Sequence, residues 1–407
     1  MNNLNKLWIS YGIVLILAIS LWGDIAGAES EAIRRILING IEVNFSGDYD
    51  RAAKIFSSIE KEDPNHPAQS FYQAVVLFWK NSVAEGTPLF INSIRQHLNK
   101  AIEQSEQMIA VDENDLDALH YIGLSYIYLG RLEAHSGNMY KGGVLGERGR
   151  KYFERAIEIC EHQNCYETES NAGHCRPCED LYFPLGAYSY FAGRLPQFLQ
   201  AINFLWFIPS GSTEEGLDDL ERAYRKSDLH RLGAQSLLAG IFLSFETNRI
   251  DDARKLSDDL VRRFPDNPYL EIQHANILMA SGQNHAASEN ARKVIKKADC
   301  GLRSYDVIVR QRALLIKAEA AIRQENTTAA KEILTQLKNN PTFQNNSLTP
   351  HTDLLLGMMA DIEMKREKAI EYYEQAESYK GGQRNRIVAR KAKQYLEEPF
   401  TNMARGS

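Results

Sequence analysis

An all-α solenoid, built from antiparallel helix pairs stacked one on the next, is the fold class that three features of this sequence predict. Short amphipathic segments recur in twos, joined by polar turns, and neither helix of such a pair can bury its apolar stripe alone. Within the second helix of the pairs a spacing of Ala-x6-Leu/Ala-x4-Pro recurs, as at Ala253, Leu260 and Pro265. The chain has 407 residues, more than one globular core usually serves. A stacked array escapes that limit because each unit touches only its neighbours.

The unit is cleanest at residues 352–376, where Leu356-Gly357 lies in one apolar stripe and Ala369, Tyr373 and Ala376 follow in a second. Taken in order, residues 32–44 form a first helix with Gly40 at a small position. Gly47-Asp48-Tyr49 makes the turn, and Ala52, Phe56 and Ile59 lead to Pro64. Proline ends the helix because it has no N–H to donate and disfavours a helical residue before it. Residues 67–81 and 90–111 make the next pair, with Ala101 and Met108 in register. Leu119, Ile122, Gly123 and Tyr126 start another helix, with Gly130 as its closing turn. Residues 131–149 carry Gly137, Gly142, Gly143, Gly146 and Gly149 and read as a loop or extended hairpin, after which Phe153 and Ala156 resume the pattern.

Residues 160–178 are polar and cysteine-rich, and residues 181–211 are the most apolar and aromatic part of the chain beyond its N-terminus. Gly216, Leu220 and Ala223 return to the pattern, followed by an apolar helix at 233–246 and its partner through Pro265. The second half is more regular. Residues 269–281, the turn Gly282, and Ala287 with Val294 make a unit 34 residues after the last, counted from Ala253 to Ala287. Residues 306–323 and 327–338, with Ala329 and Pro341 in register, make the next. A basic amphipathic helix at 383–397 supplies the cap that a solenoid needs at its end.

The Leu-Gly, Tyr, Ala, Phe, Ala and Pro positions named above resemble the tetratricopeptide repeat (TPR). That resemblance covers most of residues 31–380 and implies a right-handed superhelix of six to eight TPR-like pairs. It departs from the pattern in that the large first residue is never Trp. A second, weaker resemblance rests on Leu185-Gly186-Ala187-Tyr188, Leu195-Pro196, residues 204–210, Gly216-Leu217 and residues 220–223. This block is similar to a branch of the superfamily that includes proteins of the outer mitochondrial membrane and bacterial exported proteins. It implies an envelope-associated scaffold and carries over no ligand. The expected organisation is a signal peptide at 1–28, repeats at 29–160, a cysteine-rich and apolar insertion at 161–211, repeats at 212–380, and a cap and tail at 381–407.

Net charge is −6, and no Lys/Arg block is long enough for a phosphate backbone, so nucleic acid is not an expected partner. The N-terminus reads as an export signal: Lys6, an apolar run at 7–22, and the small triplet Ala26-Gly27-Ala28 before Glu29. An uncleaved anchor is the alternative, although the run is short for a spanning helix. The expected location is therefore the periplasm or cell envelope.

Cys160, Cys165, Cys175 and Cys178 lie within nineteen residues, and Cys300 stands apart. In an oxidising compartment four clustered thiols form two disulfides, with three pairings open, Cys160–Cys165 with Cys175–Cys178 among them. Zinc is the alternative, because His162 and His174 sit in the same cluster. Covalent haem is disfavoured, since Glu179 follows Cys178. A redox role for the Cys175–Cys178 motif lacks a strand–helix context, and Cys300 reads as a buried or idle thiol. There is no HExxH and no GxSxG, and the glycine cluster at 142–149 lacks the Lys-Ser/Thr of a phosphate loop. No enzyme activity, cofactor, metal or small-molecule substrate is expected.

The expected function is a scaffold whose first helices hold a protein partner. Gln73, Leu77, Tyr121, Tyr126, His274 and Asn276 are the candidate inner-surface residues. Phe198, Phe204, Trp206 and Phe207 are candidates for an exposed aromatic patch, with core packing as their alternative role. The runner-up function is a membrane-associated accessory of envelope assembly or transport that uses residues 181–211 to contact lipid or an outer-membrane component.

Overall fold

The computed structural model describes residues 30–83, 90–162, 177–194, 211–340, 348–379 and 383–401. Among these residues there are helices and turns and no strand. The helices form eight consecutive pairs. These are α1 (Glu31–Phe45) with α2 (Tyr49–Ser57), α3 (Pro67–Val83) with α4 (Ile91–Val111), α5 (Leu116–His135) with α6 (Met139–His162), and α7 (Tyr182–Gly193) with α8 (Thr213–Lys226). Then come α9 (Arg231–Ser244) with α10 (Ile250–Arg263), α11 (Pro268–Ala280) with α12 (Asn284–Asp299), α13 (Val307–Arg323) with α14 (Thr327–Lys338), and α15 (Thr349–Ile362) with α16 (Arg366–Ser378). The last helix, α17 (Gln383–Glu397), packs on both α15 and α16 as the expected cap.

Local chemistry sets the helix ends. The side chains of Ser30, Asp48, Asp115, Ser212, Asn267, Asp306 and Asn326 each accept a backbone N–H of the first turn that has no carbonyl partner. Four pairs close their turn identically. The N–H groups of Asn138, Gln283, Asn326 and Lys365 reach back five residues to the carbonyls of Glu133, Leu278, Ala321 and Ala360. This bond needs a left-handed residue just before the donor, supplied by Gly137 (φ 92), Gly282 (φ 77), Glu325 (φ 59) and Met364 (φ 58).

Inside three units a glycine of the first helix receives an aromatic ring of the second. A Cβ on Gly40 would lie 2.3 Å from Phe56, one on Gly123 2.7 Å from Phe153, and one on Gly357 2.4 Å from Tyr373. All three rings are completely buried. Ala52, Ala156, Ala253, Ala287 and Ala369, read from the sequence as second-helix core positions, are buried as well.

The structure corrects three readings. Residues 131–149 are not a loop: α5 runs through Gly130 to His135 and α6 starts at Met139. Gly142 and Gly149 are there for contact, since a Cβ on Gly130 would sit 2.7 Å from the Gly142 carbonyl and one on Gly149 2.7 Å from the Gly123 carbonyl. Part of the expected insertion belongs to the array. Helix α7 pairs with α8, and a Cβ on Gly216 would meet the Tyr190 backbone nitrogen at 2.4 Å. In α14 the fully buried alanine is Ala330, one residue beyond the expected Ala329. Residues 195–210 and Pro341 lie outside the described residues.

Candidate functional site

The first helices were expected to line an open surface. Four observations show the chain closing on itself instead. The C-terminal end of α1 rests on the turn between α10 and α11: Asn267 Nδ2 donates to the Phe45 carbonyl at 2.9 Å, and the Phe45 and Phe264 rings are 5.7 Å apart. The turn after α1 rests on the loop between α12 and α13, where Ser304 Oγ donates to the Gly47 carbonyl at 3.0 Å and Arg303 pairs with Asp48. Trp79 of α3 meets Tyr269 of α11 edge to face at 5.1 Å. Arg34, in the first half of α1, reaches Asp180 at 2.9 Å and Asp228 at 3.2 Å. The first two pairs thus rest on a row of inter-pair turns belonging to later pairs. A single core cluster accordingly runs from Ile33 to Ala320.

The centre of this closure is polar. Asp180 is fully buried, and its Oδ1 accepts from Ser227 Oγ at 2.5 Å and from the backbone N–H groups of Asp228 and Leu229, both at 3.1 Å. Beside it, His120 Nε2 and His230 Nε2 lie 3.1 Å apart. Burial pushes both imidazoles below their ordinary value, His230 to about 4 and His120 well below it too. No local signal in the sequence marks these residues; Arg34 and Asp180 are 146 positions apart.

The six candidate partner-binding residues among the described residues do not converge on one surface. Gln73 ties α3 to α2, donating through Nε2 to the Ala53 carbonyl at 2.8 Å and to Ser57 Oγ at 3.0 Å. Leu77 packs half-buried against the main core. Tyr121 is completely buried among the rings of His66, Phe71 and His120, a core role. Tyr126 is buried, stacked on Tyr152, with the Arg148 guanidinium 4.3 Å over its face. His274 bonds Ser257 Oγ at 3.0 Å, and burial lowers its pKa. Asn276 donates to the Ile272 carbonyl of its own helix and stays half-exposed. Phe198, Phe204, Trp206 and Phe207 lie outside the described residues.

Cys160 at the end of α6 is joined to Cys178, and both are fully buried. The pairing of Cys160 with Cys165 and Cys175 with Cys178 is therefore not formed. A four-cysteine zinc site is excluded too, because disulfide sulfurs are not thiolate ligands. Cys165 and Cys175 lie outside the described residues. The bridge ties α6 to the segment that carries Asp180, so it braces the partner of Arg34. Cys300 is a free thiol and is exposed, so of its two readings, buried or idle, the buried one does not hold. Asp219 is half-buried, and burial raises its carboxyl to about 6. Its neighbour Asp218 is exposed.

A depression of about 540 Å³ runs along α4, lined by Asn92, Arg95, Gln96, Asn99, Lys100 and Glu103. Among the described residues no cluster of three or more His, Cys, Asp or Glu side chains is placed to hold a metal ion, and no helix is long and apolar enough to cross a membrane.

This geometry defines the class: an all-α, TPR-like array of helix hairpins, with glycine seated under an aromatic ring as the repeated contact. No protein-family model matches the chain, and no curated protein matches it. Among solved structures it is similar to yeast Tom70, at 12% identity and a TM-score of 0.39 over 87% of this chain and 86% of that one. It is similar to a human IFIT1 dimer solved with PPP-AAAA, at 16% identity and a TM-score of 0.35 over 81% and 68%. The TPR domain of P58(IPK) follows at 13% identity and a TM-score of 0.22 over 90% and 98%. These are likenesses of helical architecture and carry no ligand to this chain.

Proposed function

We propose that the protein is an exported helical-repeat scaffold that holds a protein partner in the periplasm or cell envelope. The observation that carries this reading is the architecture itself, eight consecutive helix pairs among the described residues. The N-terminal run at 7–22 followed by Ala26-Gly27-Ala28 supports export. With α3 already against α11, the partner surface on this reading is the row of second helices. The polar depression on α4 is its first candidate, since Gln96, Asn99 and Lys100 are exposed there.

The test is site-specific photocrosslinking in the native host, with the probe at Asn99 on α4 or at Glu374 on α16. One discrete protein adduct at Asn99, absent at Glu374, supports the reading. Adducts at neither position, in protein that is exported and folded, overturn it.

A second reading, a membrane-associated accessory, is favoured by one observation. Phe191 at the end of α7 is 41% exposed and touches Phe245, beside the apolar stretch 195–210. Fractionation separates the two readings. Signal-cleaved protein retained with membranes and released by detergent supports this second reading over the first.

A further inference from the structure

The buried contact between His120 and His230 lies beside the Arg34–Asp180 ion pair of the closure. His120 lies in the second turn of α5 and His230 is the N-cap residue of α9, so the pair joins the early part of the array to the middle. We propose that this pair is an acid-sensitive latch, in which proton uptake by the two imidazoles releases the first helix pair from the row of turns on which it rests.

The geometry carries the inference. At an Nε2–Nε2 distance of 3.1 Å one neutral ring donates its N–H and the other accepts. Protonation of the acceptor leaves two donors facing each other, and the contact becomes a repulsion. Burial opposes a cation on either ring, and on His230 it outweighs the Asp180 carboxylate, which favours one. From α1 comes Arg34, already positive and acting on both rings. Asp180, on the segment before α7, is committed through Oδ2 to Arg34 and through Oδ1 to Ser227, Asp228 and Leu229. Asp228, in the turn before α9, also holds Arg34, through a side chain that is 47% exposed. On α5 itself, Asp117 is buried three residues before His120. The other neighbours are rings: Phe183 of α7 stacks on His230 at 5.0 Å, and Tyr121 and Phe153 flank His120. His230 also sits at a helix N-terminus, where the helix dipole disfavours positive charge.

The sign follows from linkage. The closed state holds both histidines neutral with pKa values below the ordinary 6.5. An open state returns them towards that value, so the open state binds more protons. Closure is complete above about pH 6.5 and is lost as pH falls from there towards about 4, the value for His230. In that window the open-to-closed ratio rises about tenfold per pH unit for each histidine that titrates. What is released is limited, because the bonds inside each helix and the glycine–ring contacts inside each pair involve neither imidazole.

The experiment is hydrogen–deuterium exchange of the mature full-length protein between pH 7.5 and 5, with rates normalised to the intrinsic pH dependence of amide exchange. Peptides from α1 are expected to exchange at least about tenfold faster per unit below pH 6.5. Peptides from α15 and α16 should not, and protection of α1 should return at pH 7.5. In the His120→Gln/His230→Gln protein the acid response of α1 should vanish. Should that variant fail to fold, the native pH series decides alone. Three results overturn the proposal: a flat response of α1, an acceleration that α15 and α16 share, or a tightly bound metal ion on the two imidazoles.

Discussion

The pair α5–α6 and the pair α15–α16 contain the same contact and reach it with different lengths of chain. In α15–α16, Gly357 and the ring it receives, Tyr373, are sixteen residues apart. In α5–α6, Gly123 and Phe153 are thirty residues apart. The fourteen additional residues extend both helices by about two turns each. The two extensions then need a packing surface of their own, and glycine provides it. Gly130 faces Gly142 and Gly149 faces Gly123, so backbone lies on backbone where a regular unit would place side chains. The conserved element of architecture within this chain is thus the glycine–ring contact, and unit length is free to vary around it.

The largest effect is expected where backbone meets backbone. A Cβ on Gly130 would lie 2.7 Å from the Gly142 carbonyl and 3.1 Å from the Gly146 nitrogen, atoms that cannot swing aside. Gly130→Leu should therefore destabilise the protein by about 3 kcal/mol or more, read as a fall in the urea midpoint at unchanged slope. A loss below about 1 kcal/mol would mean that α5 and α6 can separate without cost, and the glycines would need another explanation.

The next test concerns the short unit. Gly357→Ala places a methyl 2.4 Å from the Tyr373 ring. That ring cannot move freely, because its hydroxyl donates to Asp361 at 2.8 Å, and Asp361 also accepts from Arg366 and from the Phe400 N–H. A cost of about 1–2 kcal/mol is expected, partly offset by the better helix propensity of alanine. Tyr373→Leu removes the obstruction, so adding Gly357→Ala to it should cost at least about 1 kcal/mol less than adding it to the native protein. Strict additivity in this double-mutant cycle would show that glycine and ring do not oppose each other.

These two units also show what the sequence made legible. Leu356-Gly357 with Ala369, Tyr373 and Ala376 is a local pattern at helical spacing, and it placed both helices and their facing residues. The glycines of residues 131–149 misled, because glycine is a poor helix former and five in nineteen residues resemble a loop. The purpose of Gly142 and Gly149 appears only when the partner helix is in place. The same holds for α7, whose apolar residues surround the helix instead of marking one stripe, so periodicity could not assign a face. The closure was invisible for a stronger reason. Arg34 with Asp180 and His120 with His230 are set by how the stacked pairs curl, which is a property of the whole array. The candidate inner residues failed to converge for that reason: α3 and α11, which carry four of the six, meet each other.

The smallest effect lies in the turns, where the two units share a bond pattern and differ in the residue that makes it. Gly137 takes φ 92 without steric penalty, whereas Met364 holds φ 58 with a side chain that is 94% exposed. An L-residue in the left-handed region costs about 1–2 kcal/mol. Glycine avoids that cost but loses about 0.5–1 kcal/mol to the greater freedom of the unfolded chain. Met364→Gly should therefore gain about 0.5 kcal/mol, since almost no packing is lost with the exposed side chain. Gly137→Ala should cost about 1 kcal/mol, and nothing lies within 4 Å of the added methyl to confuse the result with a clash. Opposite signs at the two turns, measured by urea unfolding, would show that the turn geometry is imposed by the pair and only accommodated by its residue. Equal signs would mean that each turn is set by its own local sequence, and the identical bonds would then be coincidence.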